Sequence, residues 1–283
     1  MPSKSSSFIY CLNTATIRGH KLGFFKELEL AAAGGFTGVE IWLETYQQYL
    51  SSGGTVANAA KKIKDLGLTI EDAIGFASWI VDDNRKRGEA HEQLKKEMEI
   101  LSGIGCKRIA APPAGATGLP LLDLNVVAER YRSILEIGDK TGVIPHLELW
   151  GFSKNLGKLS DVMFVAIQSD HPSAKVLLDS YHIYKGGTDP ATLKLINPTA
   201  VDIFHINDYP SGKPTDTITD ADRIYPGDGV APLAQELKIL KDPRRPLVLS
   251  VEVFNAEYYK DDPLHVVKTA FKKTKAVVEK AGL

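Results

Sequence analysis

An α/β chain closing into a single (β/α)8 TIM barrel is what the 283-residue sequence predicts, on three observations. Short β-branched or aliphatic runs alternate with longer amphipathic stretches, eight times from Phe8 to the run that starts at Leu247. Their spacing is about 34 residues, the size of a strand–helix unit. The runs are apolar throughout, as expected of parallel strands covered on both faces. No Ser/Gly linker or block of charge divides the chain, so one domain over residues 1–283 is expected, although length alone would allow two. An open doubly wound sheet would want a Gly-rich turn after its first strand, and Asn13-Thr14-Ala15-Thr16 is not one.

In chain order, strands are expected at residues 8–13, 38–42, 69–75, 108–111, 144–148, 175–179, 201–206 and 247–252. Between them, apolar residues spaced by three and four predict helices, among them 23–33, 88–101, 126–140 and 264–281. Residues 207–230 have little apolar periodicity and hold three prolines and three glycines. A loop of that length in a compact barrel is usually functional.

Charge narrows the function. With 34 Lys+Arg against 35 Asp+Glu the net charge is −1, too weak a field to argue for nucleic acid or an anionic membrane. No apolar run reaches the roughly 18 residues of a membrane span. The first seven residues show no apolar segment behind a basic head, so no secretory signal is expected. Two cysteines, Cys11 and Cys106, are too few for a disulfide framework. A cytoplasmic enzyme is expected.

A barrel carries its chemistry where strands finish. The last four expected strands finish in His146-Leu147-Glu148, Leu177-Leu178-Asp179, Phe204-His205-Ile206 and Val251-Glu252-Val253. Apolar strands rarely end in a charged or imidazole group without a partner, because burying one unpaired is costly. Brought together, Glu148, Asp179, His205 and Glu252 would place three carboxylates in mutual repulsion. One divalent ion resolves it, and three oxygens with one nitrogen suit Mn²⁺, Zn²⁺, Co²⁺ or Mg²⁺. Around them, His182 lies three residues beyond Asp179, and Asp208 follows His205 by three, where it could orient the imidazole or bind a hydroxyl. Arg223 sits in the long loop and could hold a substrate oxygen. Glu40, Trp42 and Trp150 finish other strands and could wall the substrate. Each has a plainer reading, such as a cap on the following turn at Ser180 for Asp179, a loop ion pair with Asp220 or Asp222 for Arg223, and core packing for Trp42.

These residues carry a resemblance. The strand-end Glu/Asp/His/Glu set, Asp179-Ser180-Tyr181-His182 and Asp222-Arg223-Ile224-Tyr225-Pro226-Gly227-Asp228-Gly229 resemble the sugar isomerase/epimerase superfamily of xylose-isomerase-like TIM barrels, the AP endonuclease family 2 type. Within it, Leu12-Asn13-Thr14-Ala15-Thr16, Phe204-His205-Ile206-Asn207-Asp208, Ser250-Val251-Glu252-Val253-Phe254 and Glu257-Tyr258-Tyr259-Lys260 are similar to the inosose isomerase branch. The resemblance spans the chain and is denser after residue 140. It implies Glu148, Asp179, His205 and Glu252 as metal ligands, Glu148 and Glu252 as an acid/base pair, and His182 and Arg223 as substrate contacts. Segments 75–79 and 111–115 match nothing assignable. The nuclease branch needs a three-metal cluster with further histidines, but the third and fourth strands end in Ile74-Gly75-Phe76 and Ala110-Ala111-Pro112, and Ile224 follows Arg223.

The chemistry expected is proton transfer at a carbon beside a ketone, through a metal-stabilised enediolate, on a keto-polyol or ketose of the 2-keto-myo-inositol kind. No Lys/Arg cluster with a Gly-rich helix start marks a phosphate, which leans the substrate towards an unphosphorylated sugar. The alternative is a metal-dependent dehydratase or lyase, of the inosose, dehydroshikimate or keto-glycoside type. A sugar-binding scaffold on a retired barrel is disfavoured by the intact ligand set. Helical outer faces leave room for a homo-oligomer.

Overall fold

In the computed structural model, which describes residues 7–283, eight strands lie side by side in the order β3-β2-β1-β8-β7-β6-β5-β4. Every pairing is parallel, and β3 and β4, at the two ends of that order, also lie in contact, so the sheet curls round on itself. The absence of a secretory signal was read from the first seven residues, of which 1–6 lie outside the described residues. The strands are β1 Phe8–Asn13, β2 Gly38–Trp42, β3 Thr69–Ile74, β4 Arg108–Ala111, β5 Ile144–Glu148, β6 Val176–Asp179, β7 Ile203–Ile206 and β8 Leu247–Val251. The helices are α1 Phe24–Gly34, α2 Leu43–Ser51, α3 Val56–Asp65, α4 Asn84–Gly103, α5 Leu124–Thr141, α6 Leu159–Gln168, α7 Ser180–Lys185, α8 Leu233–Leu240 and α9 Pro263–Lys280. Among the described residues no helix is long and apolar enough to cross a membrane.

Strand limits differ from the sequence expectation by at most two residues, and the reasons are local. Val201 is tied back to Pro198 by a turn, and Asp202 points into ion pairs with Arg245 and Lys175, so β7 starts only at Ile203. Helix starts follow from side-chain caps. Asp83, Asp123, Asp179 and Asp262 each accept a backbone N–H from the first turn of α4, α5, α7 and α9, and Pro263 at the first position of α9 needs no N–H there.

Two cores result from the alternation of side chains along each strand. Leu178, Phe204, Leu249 and Val251 pack outward against the helices. Cys11, Ile74, Ala110, Leu177, Ile203 and Val248 fill the barrel. The period of two then dictates what the mouth contains, because the next inward positions after Leu177 and Ile203 are Asp179 and His205, and Glu252 lies four beyond Val248.

Outside the mouth, α8 buries Glu236 fully with neither carboxyl oxygen hydrogen-bonded. Burial pushes its pKa up to about 7. The folded state therefore keeps a proton that the unfolded chain has already released, and stability falls as pH rises from about 4.5 to 7. Glu236→Gln is expected to be more stable than the parent at pH 8 by about 3 kcal/mol, with the gain gone below pH 4.5. Urea unfolding at the two pH values checks it.

Candidate active site

The ends of β2, β3, β5 and β8, His182 in α7 and the long loop after β7 line one cavity of about 430 Å³ at the carboxyl-terminal mouth. Next to it, Asp179, His205 and Glu252, of which Glu252 lines the cavity, each place one ligand atom within 4.8 Å of the others, all buried. Glu148 lines the same cavity outside that trio, buried, with Oε2 unpartnered.

Neighbouring elements fix each group. Asp179 caps α7 through the His182 N–H (3.1 Å) and receives both its oxygens' hydrogen bonds from Asn207 Nδ2 at 3.1 Å. Capping and site roles coincide in this one residue. His205 joins Glu40 Oε1 through Nε2 at 2.9 Å, which leaves Nδ1 without a hydrogen-bond partner, 3.5 Å from Asp179 Oδ2 and 3.3 Å from Glu252 Oε2. Asn13 donates to Glu40 Oε2 (2.9 Å) and Glu252 Oε1 (3.0 Å) and accepts the Trp42 indole N–H at 3.0 Å. Arg223 reaches in from the loop, donating from Nη1 to Asp179 Oδ2 (2.9 Å) and Glu252 Oε2 (2.7 Å), with Nη2 3.0 Å from His182 Nε2. Gly151 N–H donates to His182 Nδ1, and a Cβ at Gly151 would lie 2.3 Å from the His182 carbonyl oxygen, so only glycine permits this approach.

The electrostatics ask for positive charge. Burial alone would lower His205, but the carboxylates of Glu40 and Glu252 outweigh it and hold its pKa well above the ordinary value. Against its burial, Asp179 is held below its usual range by Arg223 and His205. Glu252 is likewise lowered, by His205 and Arg223. Glu148 is pushed up by burial to about 8, against the pull of His205. His182 is pushed down to about 4 by burial and by Arg223, so it is neutral. A divalent ion fits this donor set: an unpartnered imidazole nitrogen faces two carboxylate oxygens, and a carboxylate behind the ring fixes its other nitrogen.

Above the floor, ring contacts run from Phe254 to Trp42, Phe76, Trp150, Phe152 and His182, each pair with centroids 5.2–6.1 Å apart. Phe76 and Phe152 stand at the rim, 45% and 46% exposed. This is a ring-sized slot with an aromatic wall over an ionic floor.

A family model of the xylose isomerase-like TIM barrel matches residues 28–276. The chain belongs to this family. Inosose isomerase of Bacillus velezensis is 28% identical over 280 residues, 95% of this chain and 97% of that protein. A 3-dehydroshikimate dehydratase of Pseudomonas putida is 25% identical over 238 residues, 81% of this chain but 36% of the dehydratase. Among solved structures, IOLI protein with a bound zinc atom superposes with a TM-score of 0.88 at 24% identity, covering 97% of this chain and 99% of that one. L-ribulose 3-epimerase superposes at 0.77 with 17% identity, covering 97% and 95%.

Set in a xylose isomerase-like barrel, the residues singled out from sequence divide clearly. Glu148, Glu252, His182 and Arg223 line the cavity, Asp179 and His205 adjoin it against Glu252 and Arg223, and Trp42 and Trp150 belong to its wall. Asp208, expected at the substrate or behind His205, is at neither place. Its carboxylate accepts the backbone N–H groups of Tyr209, Gly227, Gly229 and Ala231 and so folds the loop that carries Arg223. Glu40, expected in the wall, lies wholly buried beneath it as the partner of His205, Asn13 and Ser250. Sequence reasoning missed Asn13 and Asn207, though each is a polar residue at or just past a strand end. It also missed Phe76, Phe152 and Phe254, whose loops carry no periodic signal.

Proposed function

We propose that the chain is a divalent-metal-dependent isomerase or epimerase of an unphosphorylated keto-polyol or ketose, of the 2-keto-myo-inositol type. The observation that carries the reading is a pair of buried carboxyls, Glu148 and Glu252, that line one aromatic-walled cavity beside the Asp179–His205–Glu252 trio. Burial favours the protonated form of Glu148, while His205 and Arg223 favour the ionised form of Glu252, a division that suits an acid and a base. The inosose isomerase relatives and the epimerase fold neighbour support the same chemistry.

Glu252, ionised, takes the proton from the carbon beside the ketone. Glu148, protonated, returns one. Delivered to the opposite face of the same carbon, it inverts that centre. Delivered to the former carbonyl carbon, with a hydroxyl proton passing between the two oxygens, it moves the ketone. Arg223 and His182 hold substrate oxygens, and the aromatic wall covers the ring's C–H faces and excludes water. Asp179, His205 and Glu252 would hold the ion, zinc as in IOLI protein or Mn²⁺, Co²⁺ or Mg²⁺, with Glu148 outside this trio to carry the proton. When bound it would supply Lewis acidity that stabilises negative charge developing on substrate oxygen. The unpaired, buried Cys11 and Cys106 fit a reducing compartment, and we place the enzyme in the cytoplasm.

Proton NMR in D₂O with 2-keto-myo-inositol and the Mn²⁺-loaded protein tests the reading. Deuterium at the carbon beside the ketone, together with a new keto isomer, is expected. An enone absorbance without a new isomer would instead favour dehydration, the reading the Pseudomonas putida relative supports. Glu40→Gln, which leaves His205 Nε2 a poorer acceptor, is expected to weaken metal binding about 10- to 100-fold in competition with a chelator.

A further inference from the structure

The charged groups of the cavity do not stand at one depth. Glu148, His182, Arg223 and Glu252 line it buried, whereas Asp220, which also lines it, keeps 42% of its side chain exposed. Among the charged groups of the lining, a molecule entering from solvent therefore meets a carboxylate first.

Asp220 belongs to Thr219-Asp220-Ala221-Asp222-Arg223, whose two acids have separate tasks. Asp222 folds the turn, accepting the Thr219 N–H and hydroxyl at 3.0 and 3.1 Å and pairing with Lys213. Asp220 gives Oδ1 to Arg223 Nη2 at 2.5 Å, and among the described residues no hydrogen bond reaches its Oδ2. Arg223 cannot offset the charge on that oxygen. Its Nη1 donates to Asp179 and Glu252, its Nη2 meets Asp220 and His182, and its Nε is buried. Among the described residues no lysine and no second arginine lines the cavity. Arg18, stacked on Trp42, is outside the lining and pairs with Glu44. Asp220 and Glu252 are held by the two Nη groups of one guanidinium, so the groups they touch lie a few bonds apart on one small molecule.

We propose that Asp220 is the specificity-determining residue for the far end of the substrate. Its Oδ2 accepts a hydroxyl a few carbons from the reacting carbon, and its charge rejects the phosphate ester of that hydroxyl. This rests on the keto-polyol reading for the reacting end and names the residue that enforces an uncharged far end. A site built to hydrogen-bond a hydroxyl disfavours a molecule that lacks it, and placing like charges together costs more still.

Fluorescence titration reads binding directly, because two of the chain's three tryptophans, Trp42 and Trp150, line the cavity. The probes are D-fructose, 6-deoxy-D-fructose and D-fructose 6-phosphate, on the parent, Asp220→Asn and Asp220→Ala, each with Mn²⁺ and with a chelator. The parent is expected to bind D-fructose about tenfold more tightly than the deoxy sugar and about 100-fold more tightly than the phosphate. Asp220→Asn keeps a polar partner for the hydroxyl without the charge, so the phosphate should gain about tenfold while the preference over the deoxy sugar remains. Asp220→Ala should erase both preferences. A parent that binds D-fructose no better than the other two, or variants in which all three Kd values shift equally, would leave Asp220 as a brace for Arg223 alone and overturns the proposal. Deuterium exchange on D-fructose and 2-keto-myo-inositol is read separately. Exchange with unaltered Kd ratios in the variants defeats the role of Asp220 and leaves the keto-polyol reading standing. The expected Kd pattern without exchange of either ketone defeats that reading and leaves Asp220 standing.

Discussion

Glu252→Gln is expected to lower kcat by about 10³-fold, within the range that loss of a general base produces, while the protein stays folded. The amide keeps the shape of the side chain but cannot accept a proton from carbon. One hydrogen bond is lost as well. Asn13 and Arg223 each donate to a different oxygen of Glu252, and an amide satisfies only one of them. The stability loss should therefore be on the order of 1–3 kcal/mol, too little to unfold a barrel of this size. Glu148→Gln provides the contrast, because its Oε2 has no partner to lose. In D₂O, Glu148→Gln should still incorporate deuterium beside the ketone, since Glu252 removes the proton and returns deuterium to the same carbon, yet form little product. Glu252→Gln should do neither. Full activity in Glu252→Gln would overturn the assignment of the base.

That contrast depends on positions legible in the sequence, and the reason is geometric. An apolar strand buried on both faces holds few polar residues, so a carboxylate or imidazole at or near the end of the run identifies itself. Glu148, Asp179 and Glu252 stand out in this way, and His205 does so one residue before its strand ends. Glu40 satisfies the same rule, but periodicity gives a face and not a depth, and nothing local says that its oxygens turn towards His205 rather than the cavity. Asp208 shows the opposite limit. Its spacing from His205 suggests a shared site, yet two glycines and an alanine about twenty residues on claim its carboxylate, a long-range match that no window reveals. The aromatic wall was illegible for a related reason. Phe76, Phe152 and Phe254 lie in irregular loops and meet only because the barrel brings three loops over one mouth.

Arg223→Met separates the two sources of positive charge that the floor can use. Methionine roughly keeps the volume of the guanidinium stem, but in metal-free protein it leaves Asp179 and Glu252 facing each other with His205 as their main counter-charge. Removing one partner from a buried ion pair costs about 3–5 kcal/mol, so Tm measured in the presence of a chelator should fall by roughly 6–12 °C. The parent should lose much less on chelation, because Arg223 already bridges the two acids at 2.9 and 2.7 Å. Adding Mn²⁺ or Zn²⁺ should restore most of the variant's Tm, since an ion among Asp179, His205 and Glu252 relieves the same repulsion. Activity should not return with it. Arg223 also stands 3.0 Å from His182 in the cavity wall, so the loaded variant should keep its metal and show a raised KM. Calorimetry with chelator and with metal makes the comparison directly. A variant that melts with the parent under both conditions would show that the two carboxylates do not share one cation, and the metal assignment would fall with it.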